Sequence, residues 1–297
     1  MINKSSLLGM LGALMANTIF GFSFLFTKNL LNITHPLLIL AIRFTIAFSF
    51  MSALIAFRVV KVNFRGKNLK PLLLMAVMEP FLYFIFELYG LQRISSSLSG
   101  IIMALVPVAV IILSGIFLKT KTTRVQKFST LLSLAGIIAI NLSMSNTGTS
   151  HFTGVLLLIL AVISAGIFNI LSQSQAKNFT AFERTYFMFF VGAIAFTLAS
   201  LILFRQNLIP TVISAFKTPG FIFPIFYLSI LSSVVAFFAY NYATSKVAAV
   251  QTSAFANVTT IISILAGILI LKEDFSLLQL IFCIPVILGI IGVNSGK

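Results

Sequence analysis

The chain of 297 residues has no tryptophan, one cysteine, two histidines and only five acidic residues. Cys283 alone rules out an intramolecular disulfide and leaves no thiolate set for a metal. His35 and His151 have no ligand spacing around them and read as ordinary interfacial residues, so neither an HExxH metal site nor a nucleophile–base pair can be assembled. That weighs against an intramembrane enzyme. The absence of a phosphate-cradling glycine loop and of any polar block large enough to fold alone weighs against an ATP-driven pump. No metal, cofactor or obligate protein partner is expected. Without tryptophan, any aromatic lining must come from the 32 phenylalanines and 6 tyrosines.

What the chain does have is apolar length. Hydrophobic residues make up 59% of it and charged residues 8%, more apolar side chain than a water-soluble core can bury. Apolar runs long enough to cross a bilayer recur from end to end. Ten spans are expected, at roughly 7 to 28, 36 to 57, 71 to 91, 97 to 118, 125 to 144, 152 to 174, 184 to 204, 221 to 243, 249 to 271 and 277 to 294. These runs are apolar on all sides, which excludes the alternating strands of a membrane barrel. The first follows a short basic N-terminus but lacks a small-residue cleavage site before a soluble domain, so it reads as a mature helix.

The net charge of +15 is spread over short loops and forms no single basic face, so a nucleic-acid partner is not expected. It reads as topology. With the N-terminus in the cytoplasm, inside loops hold Lys4, the group Arg58 to Lys70, the group Lys119 to Lys127, Lys177 with Arg184, Lys246 and Lys297. Outside lie only Lys28, Arg93, Arg205, Lys217 and Lys272, a bias that places both termini in the cytoplasm of a multi-pass plasma (inner) membrane protein.

The chain also resembles itself. From Leu88 onward an ungapped offset of 153 aligns Tyr89 with Tyr242, Gln126 with Gln279, Gly136 with Gly289 and Asn141 with Asn294. The expected organisation is therefore a first five-helix repeat over 1–148 and a second over 149–297. Five is odd, so the second repeat enters from the opposite side. Lys121, Arg124 and Lys127 correspond at that offset to Asp274, Leu277 and Leu280, the loss of cations an outside copy requires. The fold class expected is an all-α polytopic membrane protein of ten helices in two inverted repeats, an architecture of secondary transporters.

At these residues the sequence resembles the EamA-type family of the drug/metabolite transporter superfamily. Phe20-Gly21 stands where that family commonly has Trp-Gly, and Pro36 with Arg43 resembles its Pro-then-Arg pattern. Pro107 matches its mid-helix proline, and Glu273, Gln279 and Gly289 match the hairpin acid, glutamine and glycine of its second half. Two features depart from it: the first-half counterpart of Glu273 is Thr120, and tryptophan is missing. The resemblance implies ten helices around a central cavity and export or exchange of small organic metabolites, such as amino acids or amines, across a bacterial inner membrane. It leaves open which metabolite, and import of a small cationic nutrient remains an alternative.

Five acids in such a chain each need an explanation. Counting from Lys70 at about 1.5 Å per residue, Glu79 lies about 13 Å deep, near the midplane, and Glu87 about 25 Å. With Tyr83 at i+4 from one and i−4 from the other, they form one stripe that must face protein or water. Arg43, about 10 Å below the outer surface, matches Glu87 in depth, so a structural Arg43–Glu87 ion pair is expected. Glu79 has no cation at its depth. It is the candidate for proton coupling or for binding an amine, with Tyr83 and Asn17 as polar partners and Phe20 as aromatic lining; a satisfied structural acid is the alternative. Asn169, Asn241 and Asn257 are further candidates for the cavity, or for bonding helix to helix. The expected partners are a small-molecule substrate, the lipid bilayer and protons as a candidate coupling ion. A channel-like or lipid-scrambling protein is the competing function.

Overall fold

The computed structural model describes residues 4–117, 123–143, 149–274 and 276–295, and among these all regular structure is helical. In chain order the helices are α1 (Lys4–Leu31), α2 (Pro36–Ala56), α3 (Lys70–Leu91), α4 (Ser96–Phe117), α5 (Arg124–Leu142), α6 (Thr149–Gln175), α7 (Ala181–Phe204), α8 (Leu208–Lys217), α9 (Ile222–Lys246), α10 (Ala249–Leu269) and α11 (Leu277–Ser295). Eight segments among the described residues are long and apolar enough to cross a membrane; α7 and α8 together make one of them, and α5 and α11 are not among the eight. Lys119, Lys121 and Lys297, which carried part of the topology reading, and Thr120, the first-half counterpart of Glu273, lie outside the described residues.

Local chemistry sets the helix starts. Pro36 occupies the first turn of α2, and His35 caps it by accepting the Leu37 N–H on Nδ1 at 3.3 Å. Burial holds the His35 pKa below its ordinary value. Thr180 and Glu183 form a reciprocal capping box at the start of α7. Glu183 also accepts from the Asn63 N–H at 2.7 Å and pairs with Lys67 at 3.3 Å, which ties the α2–α3 connection to α7. The short helix α8 was expected as loop. It presents Ile209, Ile213 and Phe216 on its exposed side, between Arg205 and Lys217, and ten residues are too few to register as a span.

Two helices are broken in matching places. In α3 the turn widens over Val77–Leu82, where Glu79 takes an extended conformation (φ −147°, ψ 118°) before Pro80, through a cis peptide bond. In α9 the turn widens over Tyr227–Ala236. Displacing 77–82 by the repeat offset of 153 gives 230–235, inside that second stretch. Helices α4 and α10 are also interrupted, at residues 104–105 and 254–255. Such wide turns re-aim side chains and leave backbone groups for a cavity or a neighbouring helix, which membrane interiors accept only where protein surrounds them.

The interior divides into an aromatic half, with Phe44, Phe84, Phe168, Phe189, Phe196 and Phe237, and an aliphatic half around Leu98, Ile101, Ile102, Val110 and Leu158. The outside is apolar too, as at Ile202 and Phe223, so helix association rests on close packing and hydrogen bonds and not on removing surface from water. The α4–α10 contact shows the closeness: a Cβ at Gly100 would lie 1.7 Å from Ser263 Oγ, and Thr260 Oγ1 donates to the Gly100 carbonyl at 2.9 Å. Gly100→Val is therefore expected to destabilise the protein by about 1–3 kcal/mol through overpacking. Thermal unfolding in detergent measures this, and an unchanged midpoint would contradict the contact.

Candidate functional site

Where the aromatic and aliphatic halves meet, α1, α2, α3, α4, α6, α9 and α10 enclose a cavity of about 80 Å³ for water-sized spheres. That exceeds the roughly 10–15 Å³ one water requires, so it has room for several waters or for the polar part of a small metabolite. Its aromatic walls are Phe20, Phe24, Phe84, Phe168 and Phe237, and its polar groups are Asn17, Ser23, Arg43, Glu79, Tyr83, Glu87, Asn169, Ser232, Tyr240 and Thr259. The sequence candidates Glu79, Tyr83, Asn17, Phe20 and Asn169 thus share one cavity.

Each polar group has a local reason for its position. The extended residue in the α3 break turns Glu79 inward, where it is 6% exposed and receives no hydrogen bond from the described residues. Glu87, Arg43, Tyr83 and Tyr240 are within electrostatic reach of it. Asn17 donates from Nδ2 to the Ala13 carbonyl at 2.8 Å, and its Oδ1 accepts from Thr259 at 3.1 Å. Asn169 repeats the arrangement: Nδ2 donates to the Ala165 carbonyl at 2.8 Å, and Oδ1 accepts from the Tyr240 hydroxyl. Each amide uses one N–H on its own helix and accepts a hydroxyl on Oδ1, which fixes its orientation and leaves a second N–H on Asn17 and on Asn169. Phe20 packs edge-on against Phe237 with centroids 5.1 Å apart.

The expected Arg43–Glu87 ion pair is not drawn as a direct contact. Arg43 donates from Nε to Ser233 Oγ and from Nη2 to Ser232 Oγ, both at 2.9 Å, and lies 4.4 Å over the Phe84 ring. Ser232 is held in turn by Ser23 at 2.8 Å. Glu87 lies near Tyr83, and its buried Oε2 has no hydrogen-bond partner. Among the described residues the one ion pair within 4.0 Å is Lys67–Glu183. The physical reason is the wide turn of α9, which carries both serine hydroxyls to the guanidinium; equal depth placed Arg43 and Glu87 around one cavity without making them neighbours.

Two other candidates lie elsewhere. Asn241 is fully buried in a separate knot around Arg184, which donates from Nη1 to Ser172 Oγ at 2.8 Å and to Thr244 Oγ1 at 3.1 Å, and from Nη2 to the Asn241 carbonyl. Asn241 itself donates to Thr185 at 3.0 Å and accepts from Ser172 at 2.7 Å. Arg184, read from the sequence as a loop cation, is thus an interior residue of α7. Asn257 is half-buried beside the cavity, between the lining residues Ala256 and Thr259, and its Oδ1 has no hydrogen-bond partner. The sequence reading missed Tyr240, Ser232 and Thr259. A signal existed for the first, because Tyr240 stands at the repeat offset from Glu87.

Comparison with known proteins places this arrangement in context. The model of the EamA-like transporter family matches the chain twice, over residues 7–142 and 152–295. An uncharacterized transporter of Bacillus subtilis (strain 168), YcxC, is 34% identical over 286 residues, which is 96% of this chain and 92% of that protein. An uncharacterized transporter of Archaeoglobus fulgidus is 23% identical over 277 residues, 92% of this chain and 94% of its own. A crystal structure at 15% identity superposes with a TM-score of 0.68 over 99% of both chains, a likeness of fold.

Proposed function

Because the chain belongs to the EamA-like transporter family, we propose that it is a secondary transporter that carries a small organic metabolite through the Glu79 cavity by alternating access. Ten helices, the eight apolar segments together with α5 and α11, form two inverted five-helix repeats in a plasma membrane, with both termini cytoplasmic. In this topology the α3–α4 end of the bundle faces outward. The matching breaks in α3 and α9 support the repeat, since both open the helix where the two halves face one cavity.

The observation that carries the reading is the Glu79 carboxylate, buried in an aromatic-walled cavity without a hydrogen bond from the described residues. Arg43 already has two serine acceptors and an aromatic face. Glu79, turned into the cavity by the break in α3, is the acid that would exchange a proton for the cationic nitrogen of an amine or an amino acid, whose apolar part would rest on Phe20, Phe168 and Phe237. Thermal unfolding of the purified protein against a panel of amino acids, amines, nucleosides and sugars tests this. A ligand at 100 times its Kd stabilises the native state by about 2.7 kcal/mol. An amine or amino acid is expected to raise the midpoint, and a response confined to neutral sugars or nucleosides would contradict the role of Glu79.

A further inference from the structure

The outward end is closed by a contact that crosses between the two halves of the chain. After α10 the backbone turns through Lys272, a non-glycine residue with φ 57°, and Glu273 reaches back over the start of α4. Its Oε1 accepts the Ser96 N–H at 2.7 Å, and its Oε2 accepts the Ser97 N–H at 3.0 Å and the Ser97 hydroxyl at 2.7 Å. Those N–H groups are first-turn donors with no partner inside their own helix. A carboxylate is the best acceptor for them, because it also meets the positive end of the helix dipole. Gly267 makes the approach possible: a Cβ there would lie 2.2 Å from Ser97 Oγ and 2.4 Å from Glu273 Oε2. Beside this contact Lys28 Nζ donates to the Leu91 and Ile94 carbonyls, each at 2.7 Å, and so ties α1 to the end of α3.

The other end is built differently. Displacing Ser96 and Ser97 by 153 gives Ala249 and Val250, which have no hydroxyls. The Ala249 N–H at the start of α10 is received by Gln173 Oε1 at 3.1 Å, from α6 of the same half. Among the described residues, the charged contact that crosses the halves at the cytoplasmic end, Glu183 of α7 with the Asn63 N–H and Lys67, holds the α2–α3 connection, whereas at the outward end Glu273 holds the start of α4, a helix that lines the cavity. In an inverted repeat the two facing states exchange the conformations of the halves, so only such differences make one state lower in free energy.

We infer that Glu273 is a positioning residue of the transport cycle: its carboxylate clasps the halves at the outward end, keeps the resting protein closed there and open to the cytoplasm, and lets go of Ser96 and Ser97 when the outward state forms. The inference rests on the alternating-access reading above. It is tested with Ala256→Cys as a reporter on the cavity wall, in a Cys283→Ser background. A membrane-impermeant maleimide is applied to right-side-out and to inside-out vesicles.

The parent is expected to label from the cytoplasmic face and slowly from the outer face. Glu273→Gln is expected to raise the outer-face rate by about fivefold or more and to lower the cytoplasmic rate, with Ser97→Ala, which removes one of the three bonds, shifting both in the same direction but less. Should Glu273→Gln fail to elute as a monodisperse species, the Ser97→Ala rates decide. One-sided labelling that neither variant changes overturns the clasp and leaves the transport reading standing. Equal labelling of the parent from both faces overturns the transport reading, and the clasp with it.

Discussion

Glu79→Gln is expected to leave the protein folded while reducing transport at least about tenfold, a difference of about 1.4 kcal/mol in the barrier, and to remove its pH dependence. The asymmetry between stability and activity follows from the contacts. Glu79 is buried without a hydrogen bond from the described residues, so its replacement breaks none, and removing an unpaired buried charge is neutral or stabilising in many settings. Glutamine keeps the volume and an acceptor but cannot gain or lose a proton. Glu87→Gln is the control: Glu87 lines the same cavity about two turns beyond the break that turns Glu79 inward, so its variant should retain pH-dependent transport. Uptake into proteoliposomes across pH 5 to 8 measures both. Unchanged transport with unchanged pH dependence in Glu79→Gln would reduce that residue to a structural acid.

The largest loss of stability is expected from Arg184→Ala. Arg184 is fully buried and no ion pair reaches it among the described residues; its charge is held by the hydroxyls of Ser172 and Thr244 and by the Ser172 and Asn241 carbonyls. These bonds join α6, α7 and α9. Each hydrogen bond from a charged donor contributes about 1.5–3 kcal/mol, and truncation leaves the acceptors facing an apolar interior, so a loss of at least about 3 kcal/mol is expected. The unfolding midpoint should fall by on the order of 10 °C. Arg184→Lys should recover only part, because one ammonium cannot span acceptors on two helices as the planar fork does. A midpoint within about 1 °C of the parent in Arg184→Ala would contradict the role assigned to the knot.

How far the sequence could be read follows from what lipid demands of it. A spanning helix must be apolar on every side, so eight of the ten expected spans are legible from length and composition, while α5 and α11 are not among those eight. Rotation about the helix axis is not legible in the same way. One residue turns the side chain by about 100°, which is why Tyr240 faces the cavity while the Asn241 side chain beside it meets Ser172 and Thr185. The same limit separated Arg43 from Glu87: the wide turn that presents Ser232 and Ser233 lies in α9, where no proline within the turn marks it, whereas Pro80 marks the break in α3. Arg184 shows a signal that was present and unused. Thr180 and Glu183 have the spacing of a capping box, which starts α7 at Ala181 and places Arg184 inside the helix and not in the loop before it.

The central claim is coupled transport through the Glu79 cavity, and its most direct measurement is accumulation against a gradient. Purified protein is reconstituted into vesicles with a labelled amine or amino acid chosen from the thermal-shift panel, at equal concentration on both sides, and a pH difference is imposed. The account predicts that the compound accumulates on one side, that a protonophore abolishes the accumulation, and that Glu79→Gln vesicles do not accumulate it. Equilibration alone, unaffected by the pH difference and equally fast in Glu79→Gln, is the behaviour of a channel or a lipid scramblase and would contradict the account.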